Sequence, residues 1–253
     1  MKKRVFDAAS WAATILAAAA CAVGLGQSAS ATPPPPAAGG VDVVATVHYS
    51  GEGSQRRSMR DLGRRTVLWL TPLGQASAEQ PTPGAFTMAQ KDKEFHPRLL
   101  VVPVGSTVSF PNADPFFHNV FSLFNGRRFD LGLYQSGQTR TIAFSREGVS
   151  YIFCNIHPEM SAVIISLKTP YFATPDAEGH ATLRGVPEGM YRLEVWSETA
   201  SPEALHSLSR TVRIDSSDTN LGKIDIQASS TGLGQHLNKF GQPYDPRSTA
   251  SEY

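Results

Sequence analysis

The stretch Cys154-Asn155-Ile156-His157-Pro158-Glu159-Met160 constrains this chain more than any other. Runs that read as strands flank it, Val149 to Phe153 before and Ser161 to Leu167 after. In an extended strand, residues three apart point to opposite faces. Cys154, His157 and Met160 can therefore converge only if the chain leaves its strand and curls after Cys154. Pro158 cannot continue a sheet ladder and pushes His157 away from the helical region, and Asn155 tolerates turns. The stretch is expected to be a loop at one end of a sheet, carrying a thiol, an imidazole and a thioether.

The rest of the chain reads as the material of such a sheet. Its 253 residues allow one large or two modest domains. Charged residues make up only 18%, while 21 Gly and 18 Pro suit strands and turns better than helices. From Ala85 the strands come densely: Phe86–Gln90, Leu99–Val104, Thr107–Phe110, His118 to about Phe124, the alternating Phe129-Leu131-Leu133, Thr139–Phe144, and the two that flank the loop. Gly105, Pro111-Asn112, Gly137 and Glu147-Gly148 punctuate them. Short strands at this spacing predict an all-β sandwich or barrel. Val41–Tyr49 and Thr66–Leu70 add strands upstream, around a basic, Gly-containing loop from Ser50 to Arg65 that reads as a solvated face. Ala181–Leu183, Tyr191–Trp196, Arg210–Ile214 and Leu221–Ile226 add strands downstream. Residues 228–253 show little periodicity and read as a poorly packed tail, and no long helical pattern appears after residue 31.

Residues 1–31 read as an export signal. Lys2, Lys3 and Arg4 precede an apolar run from Trp11 to Leu25, and Ala29-Ser30-Ala31 offers a small-residue cleavage site. The run is too short and too weakly flanked to span a membrane. Cys21 would be the lipid anchor of a lipoprotein, a reading disfavoured because Ala18 stands where a Leu is usual. The formal charge of +1 becomes about −1 once Lys2, Lys3, Arg4 and Asp7 are removed, so nothing points to nucleic acid. Cleavage after Ala31 would leave Cys154 as the only thiol of an exported protein, where no internal disulfide can form and a free thiol is a liability. Binding it as a metal thiolate would remove that liability.

A second imidazole, His118, stands in Phe117-His118-Asn119-Val120 at the start of a strand. Two His, one Cys and a weak axial Met make up the ligand set of a blue-copper electron-transfer site. Thiolate and thioether favour the reduced ion and imidazole suits the oxidised one, so the set serves both. A buried Cys or Met alone is common in β cores; it is the joint pattern that points to copper, with an empty site or zinc as alternatives. Other residues fare worse. His96 and Met88 read as surface residues rather than an accessory copper contact. His48 and His180 have no partner at ligand spacing, and His206 reads as a loop residue. His236, near Asn238-Lys239-Phe240, has no assignment beyond capping a surface. No phosphate-binding loop or nucleophile motif occurs.

Residues 85–168 resemble cupredoxins, the plastocyanin and azurin group, in V-x-V-G-S-T-V-x-F, in N-x-D before His118 and in the Cys-to-Met loop. The C-x-x-H-P-x-M spacing is most similar to the short ligand loop of the amicyanin members. The resemblance implies a Greek-key sandwich holding one type 1 copper ion. His118 would be the buried ligand, Cys154 the thiolate, Met160 the axial ligand and His157 the ligand at the surface edge. Asn119 would hydrogen-bond to the ligand-loop region. The implied activity is single-electron transfer through His157 to a c-type cytochrome or periplasmic oxidoreductase, without enzyme activity because four protein ligands leave no position for substrate. Phe116-Phe117 and Leu123-Phe124 would supply apolar docking surface beside the acidic Glu159. Copper delivery, or a binding module with structural copper, are the alternatives.

The run from Asp176 to Trp196, D-x-x-G and then L-x-G-V-P-E-G-M-Y-x-L-x-V, resembles the end of a carboxypeptidase-regulatory-like β-sandwich. The resulting organisation is a signal peptide (1–31), a Pro/Gly linker (32–40), the first part of a split sandwich (41–83), the cupredoxin-like domain (84–168), the second part of the sandwich (169–227) and a tail (228–253). Alternatively, residues 41–83 are extra strands on the inserted domain.

Overall fold

The computed structural model describes residues 39–74, 80–123, 126–229 and 236–244. Residues 1–31, read as an export signal and including Cys21, lie outside the described residues, as do most of the linker and Phe124. The chain begins with β1 (Val41–Ser50), the short helices α1 (Glu52–Gln55) and α2 (Met59–Gly63), and β2 (Thr66–Pro72). Ten strands follow: β3 (Ala85–Thr87), β4 (Ala89–Lys91), β5 (Glu94–His96), β6 (Leu99–Pro103), β7 (Ser106–Pro111), β8 (His118–Ser122), β9 (Phe129–Tyr134), β10 (Thr139–Phe144), β11 (Gly148–Phe153) and β12 (Ser161–Leu167). Then come β13 (Phe172–Ala173), β14 (His180–Val186), β15 (Gly189–Ser197), α3 (Pro202–Leu208), β16 (Arg210–Ile214) and β17 (Asn220–Gln227). The protein is all-β, as its turn-rich composition and alternating runs predict.

The strands pair in two sets. β3 to β12 form a three-stranded sheet β10-β7-β3, a five-stranded sheet β6-β12-β11-β8-β9 and the β4-β5 hairpin. The first and last segments meet in a three-stranded sheet β14-β1-β17 and a four-stranded sheet β13-β2-β15-β16. Here β1 runs antiparallel to β14 and parallel to β17, while β2 runs antiparallel to β15 from Thr66 opposite Ser197 to Pro72 opposite Tyr191. Among the described residues no ladder joins the two sets.

Three apolar clusters follow from this arrangement. In β1 alternate residues Val43, Ala45, Val47 and Tyr49 are buried, and they pack with Leu68, Leu70, Leu193 and Ile224 between the two flanking sheets. Within the central unit, Leu100, Val102, Val108, Phe110, Ile152 and Ile164 fill the space between its sheets. The third cluster joins the two units: Val101, Val163, Ile165 and Leu167 meet Val67, Trp69, Phe172 and Trp196. β12 is consequently buried at every position, with Ala162 and Ile164 facing one core and Val163 and Ile165 the other. Covering both faces in this way explains the unbroken apolar run Ala162-Val163-Ile164-Ile165.

Three local features depart from the sequence reading. The segment read as a loop over residues 50–65 contains α1 and α2. His206 lies in α3 rather than a loop, because Ser201 caps that helix by accepting from the Ala204 N–H and Pro202 opens it. Met88 is fully buried in the central core instead of lying at the surface, since its backbone N–H is bonded to the Ser109 carbonyl beside β7. In the D-x-x-G turn, Gly179 has φ 88° and lies so close to Val47 that an added Cβ would fall 2.3 Å from that residue's carbonyl oxygen. Only glycine fits there.

An ion cluster also joins the units. Glu198, its side chain only 3% exposed, accepts from Arg65 at 3.1 Å and from both arms of Arg98 at 2.8 Å. Arg98 also donates to the Ser161 hydroxyl at 3.0 Å. Burial pushes the Glu198 carboxyl up, but the guanidiniums of Arg98 and Arg65 outweigh it and hold the carboxyl below the ordinary glutamate range. Removing one member of such a buried group strands the others, so Glu198→Ala is expected to cost about 3 kcal/mol at neutral pH. A depressed folded-state pKa contributes stability above the ordinary value of about 4.3 and loses it as the pH falls through the depressed value. In thermal melts between pH 7 and 3, the gap between the wild-type protein and Glu198→Ala is expected to narrow below about pH 4.

Candidate metal centre

β11 ends at Phe153, and the chain turns at once. The Met160 N–H donates to the His157 carbonyl at 3.0 Å, and the Cys154 N–H donates to the Met160 carbonyl at 3.2 Å. Residues 154–160 therefore close on themselves before β12 begins. Pro158, which has no N–H to donate, sits inside this closure without cost. On the neighbouring strand, β8 opens with His118, and Phe121 pairs with Phe153. His118 thereby reaches the same end of the sheet from the core side.

Three side chains meet there. His118 Nδ1 lies 3.8 Å from the Cys154 sulfur, His157 Nδ1 lies 3.6 Å from that sulfur, and the two nitrogens are 3.1 Å apart. These atoms form a compact group able to hold a metal ion, with His118 and Cys154 buried and His157 half-buried. A point equidistant from the corners of this triangle lies about 2 Å from each, the range of metal–imidazole and metal–thiolate bonds. Met160 is buried in the apolar cluster that contains Cys154. His48, His96, His180 and His206 are not in the group: His48 bonds to Asp225, His96 to the Lys91 carbonyl, and His180 lies near Asp176.

The surroundings decide which atoms face the centre. Asp114 accepts from His118 Nε2 at 2.8 Å, which keeps the proton on that nitrogen and turns the Nδ1 lone pair towards Cys154. Asp114 is itself held by the N–H groups of Asp92 and Lys93, at 2.7 and 3.0 Å. Those two residues form the β4-β5 turn, and both have positive φ, as a tight hairpin of the I′ kind requires. Burial pushes the Asp114 carboxyl up, but the Lys93 N–H and His118 outweigh it and hold it below the ordinary range. Phe116 stands edge-on to both histidines, with ring centres 5.2 Å from His118 and 5.6 Å from His157, and Lys93 lies over its ring at 5.4 Å.

Burial raises the Cys154 thiol pKa, partly offset by backbone N–H groups of Asn119, Ile156 and His157 that point at the sulfur. Asn119 thus acts on the thiol through its main chain. Its side-chain amide donates to Asp130 on β9 at 2.7 Å. Asp114 was visible in the N-x-D pattern, but its role depends on the distant Asp92-Lys93 turn. The tail over residues 236–244 is bonded to the 154–160 loop rather than loose: Tyr244 donates to the Cys154 carbonyl at 2.8 Å, and the Lys239 N–H donates to Asn155 at 2.9 Å. No sequence periodicity signals these contacts.

No protein-family model matches the chain, and no curated protein matches its sequence. Solved structures that match include a purple cupredoxin from Nitrosopumilus maritimus, 25% identical over 32% of this chain and 98% of its own, with TM-score 0.29. A copper-containing nitrite reductase from Thermus scotoductus SA-01 is 22% identical over 48% of this chain and 28% of its own, with TM-score 0.31. A reduced tryptophan-to-tyrosine mutant of amicyanin is 21% identical over 34% of this chain and 86% of its own, with TM-score 0.32. These matches cover between about a third and a half of this chain.

Burial lowers the His157 pKa to about 4, helped by nearby His118 and Lys93. An unfolded chain protonates the same imidazole near 6.5. Between these values the unfolded state binds more protons, so the metal-free protein is expected to lose stability as the pH falls from about 6.5 towards 4. In urea melts across that range, His157→Gln should flatten the decline; an unchanged slope would show that His157 is not held neutral.

Proposed function

We propose that this chain is an exported type 1 copper protein that passes single electrons to and from a redox partner. The observation that carries the reading is the triangle of His118 Nδ1, Cys154 Sγ and His157 Nδ1. Its size suits a single ion, and its donor set suits copper in both oxidation states. In this proposal Met160 is the weak axial ligand, and copper supplies the one-electron couple.

The protein's part is to hold the donors still. Asp114 fixes the ring of His118, and three N–H groups favour the thiolate once the Cys154 proton has left. Phe116 and the central core exclude water. His157, the half-buried member, is the edge through which electrons pass, and exposed Phe117 offers an apolar contact for a partner such as a c-type cytochrome or periplasmic oxidoreductase. The chain is a carrier rather than an enzyme in this reading, because four protein donors leave no place for substrate. Periplasmic location rests on the signal-like residues 1–31; among the described residues no helix is long and apolar enough to cross a membrane. The flanking sandwich is proposed to be of the carboxypeptidase-regulatory-like kind, a reading supported by its D-x-x-G turn and its two facing sheets.

Titration of the metal-free protein with Cu(II) tests the central claim. An intense blue thiolate-to-copper band is expected, absent in Cys154→Ser, together with rapid reduction and reoxidation by a cytochrome. Colourless Cu(I) passed to an acceptor would instead support copper delivery, and no uptake would end both readings. Met160→Gln should keep copper but shift the potential. Asp114→Ala, which frees the His118 ring, is expected to weaken copper binding by about 10- to 100-fold in competition with a chelator.

A further inference from the structure

We propose that the C-terminal segment His236–Tyr244 is a strap that positions the ligand loop, with Tyr244 and Lys239 as its two grips. The inference builds on reading residues 154–160 as a copper loop, but its geometry stands apart from the metal. The strap is a built turn rather than trailing chain. Asn238 accepts through its side chain from the N–H groups of Phe240 and Gln242, at 2.9 and 3.0 Å. The Asn238 N–H donates to the Gln242 carbonyl, and the Gly241 N–H, at φ 76°, donates to the Asn238 carbonyl.

The strap holds the loop on both sides of the thiol. After the cysteine, the Tyr244 hydroxyl donates to the Cys154 carbonyl, and the Lys239 N–H donates to the Asn155 side chain. β11 has already ended at Phe153, so the Cys154 carbonyl lies beyond that strand's ladder. Across the sheet, the Lys239 ammonium pairs with Asp130 at 2.7 Å. The other oxygen of Asp130 holds the Asn119 side chain, and the Asn119 backbone N–H points at the Cys154 sulfur. One short segment therefore steadies the residue after the thiolate and the strand that donates to it.

His236 seats the strap. Its ring stacks on Phe153 with centres 4.1 Å apart, stands edge-on to Phe121 at 6.1 Å, and meets Tyr244 edge-on at 5.4 Å. Phe121 and Phe153 lie on the face of the five-stranded sheet that turns away from its own core. The flanking sandwich covers that face around Val101, Val163, Ile165 and Leu167. The strap covers the part nearest the ligand loop. A site that keeps its donors fixed needs this kind of outer support, because loosening the loop by about an ångström is enough to spoil the geometry.

The test compares the full chain with Tyr244→Phe, Lys239→Met, Lys239→Arg and a chain ending at residue 229. Hydrogen exchange of the amides in residues 154–160 is read in the metal-free proteins. The blue band and the rate of copper loss to a chelator are read in the loaded ones. Tyr244→Phe removes one oxygen and keeps the ring against His236, so it answers the question even if the shortened chain does not fold. Loop exchange at least fivefold faster in Tyr244→Phe and Lys239→Met is expected, with faster copper loss, a displaced band and recovery in Lys239→Arg. Exchange and band unchanged in both Tyr244→Phe and Lys239→Met would overturn the strap. If the full chain takes up no copper, the proposed function fails, and loop exchange alone still decides whether the strap acts.

Discussion

Burial of both faces of the sheet β6-β12-β11-β8-β9 is the constraint on which the rest of the structure depends. One face packs against β10-β7-β3 through Val102, Val108, Ile152 and Ile164. The other, carrying Val101, Val163, Ile165, Phe121 and Phe153, is just as apolar and would be left to solvent in a lone sandwich. The flanking strands cover part of it with Trp69, Phe172 and Trp196, and His236 lies against Phe121 and Phe153. A sheet covered on both sides can hold a loop rigidly at its end, because its strands have little freedom to shift.

The same constraint explains the buried charges. Arg98 sits directly before β6 and Arg65 directly before β2, so docking the two units brings two guanidiniums together on one carboxylate. Glu198, one residue beyond β15, pairs with both, and Asp61 also accepts from Arg65. Without that carboxylate the junction would enclose like charges. Arg98 also reaches Ser161, the residue after Met160, so the junction and the end of the 154–160 loop share one hydrogen-bond network.

At the loop itself, covalent order and tertiary support divide the work. The spacing of Cys154, His157 and Met160 together with Pro158 makes a curl at the end of β11 almost unavoidable, and the curl brings thiol and imidazole within 3.6 Å. Local sequence has no comparable hold on His118. That ring is aimed by Asp114, Asp114 is aimed by the Asp92-Lys93 turn, and that turn is placed by the β4-β5 hairpin. Each link is short, but the links come from two separate stretches of chain, residues 89–96 and 114–118.

By itself the sequence determined the class of fold and the chemistry available. Period-two alternation in Val41–Tyr49 and the apolar run Ser161–Leu167 specify strands because side-chain direction repeats every two residues and burial selects apolar ones. Ser201-Pro202-Glu203 carried a legible helix start that was overshadowed by the β texture around it. Other features were beyond local reading. Nothing near Met88 distinguishes a buried methionine from an exposed one, and nothing in His236, Lys239 or Tyr244 says that they lie against a loop some eighty residues earlier. Such contacts are decided by which surfaces remain uncovered once the sheets have packed. That property belongs to the folded whole, so only the tertiary structure could show that the polar tail, and not solvent, lies over the last part of the central sheet.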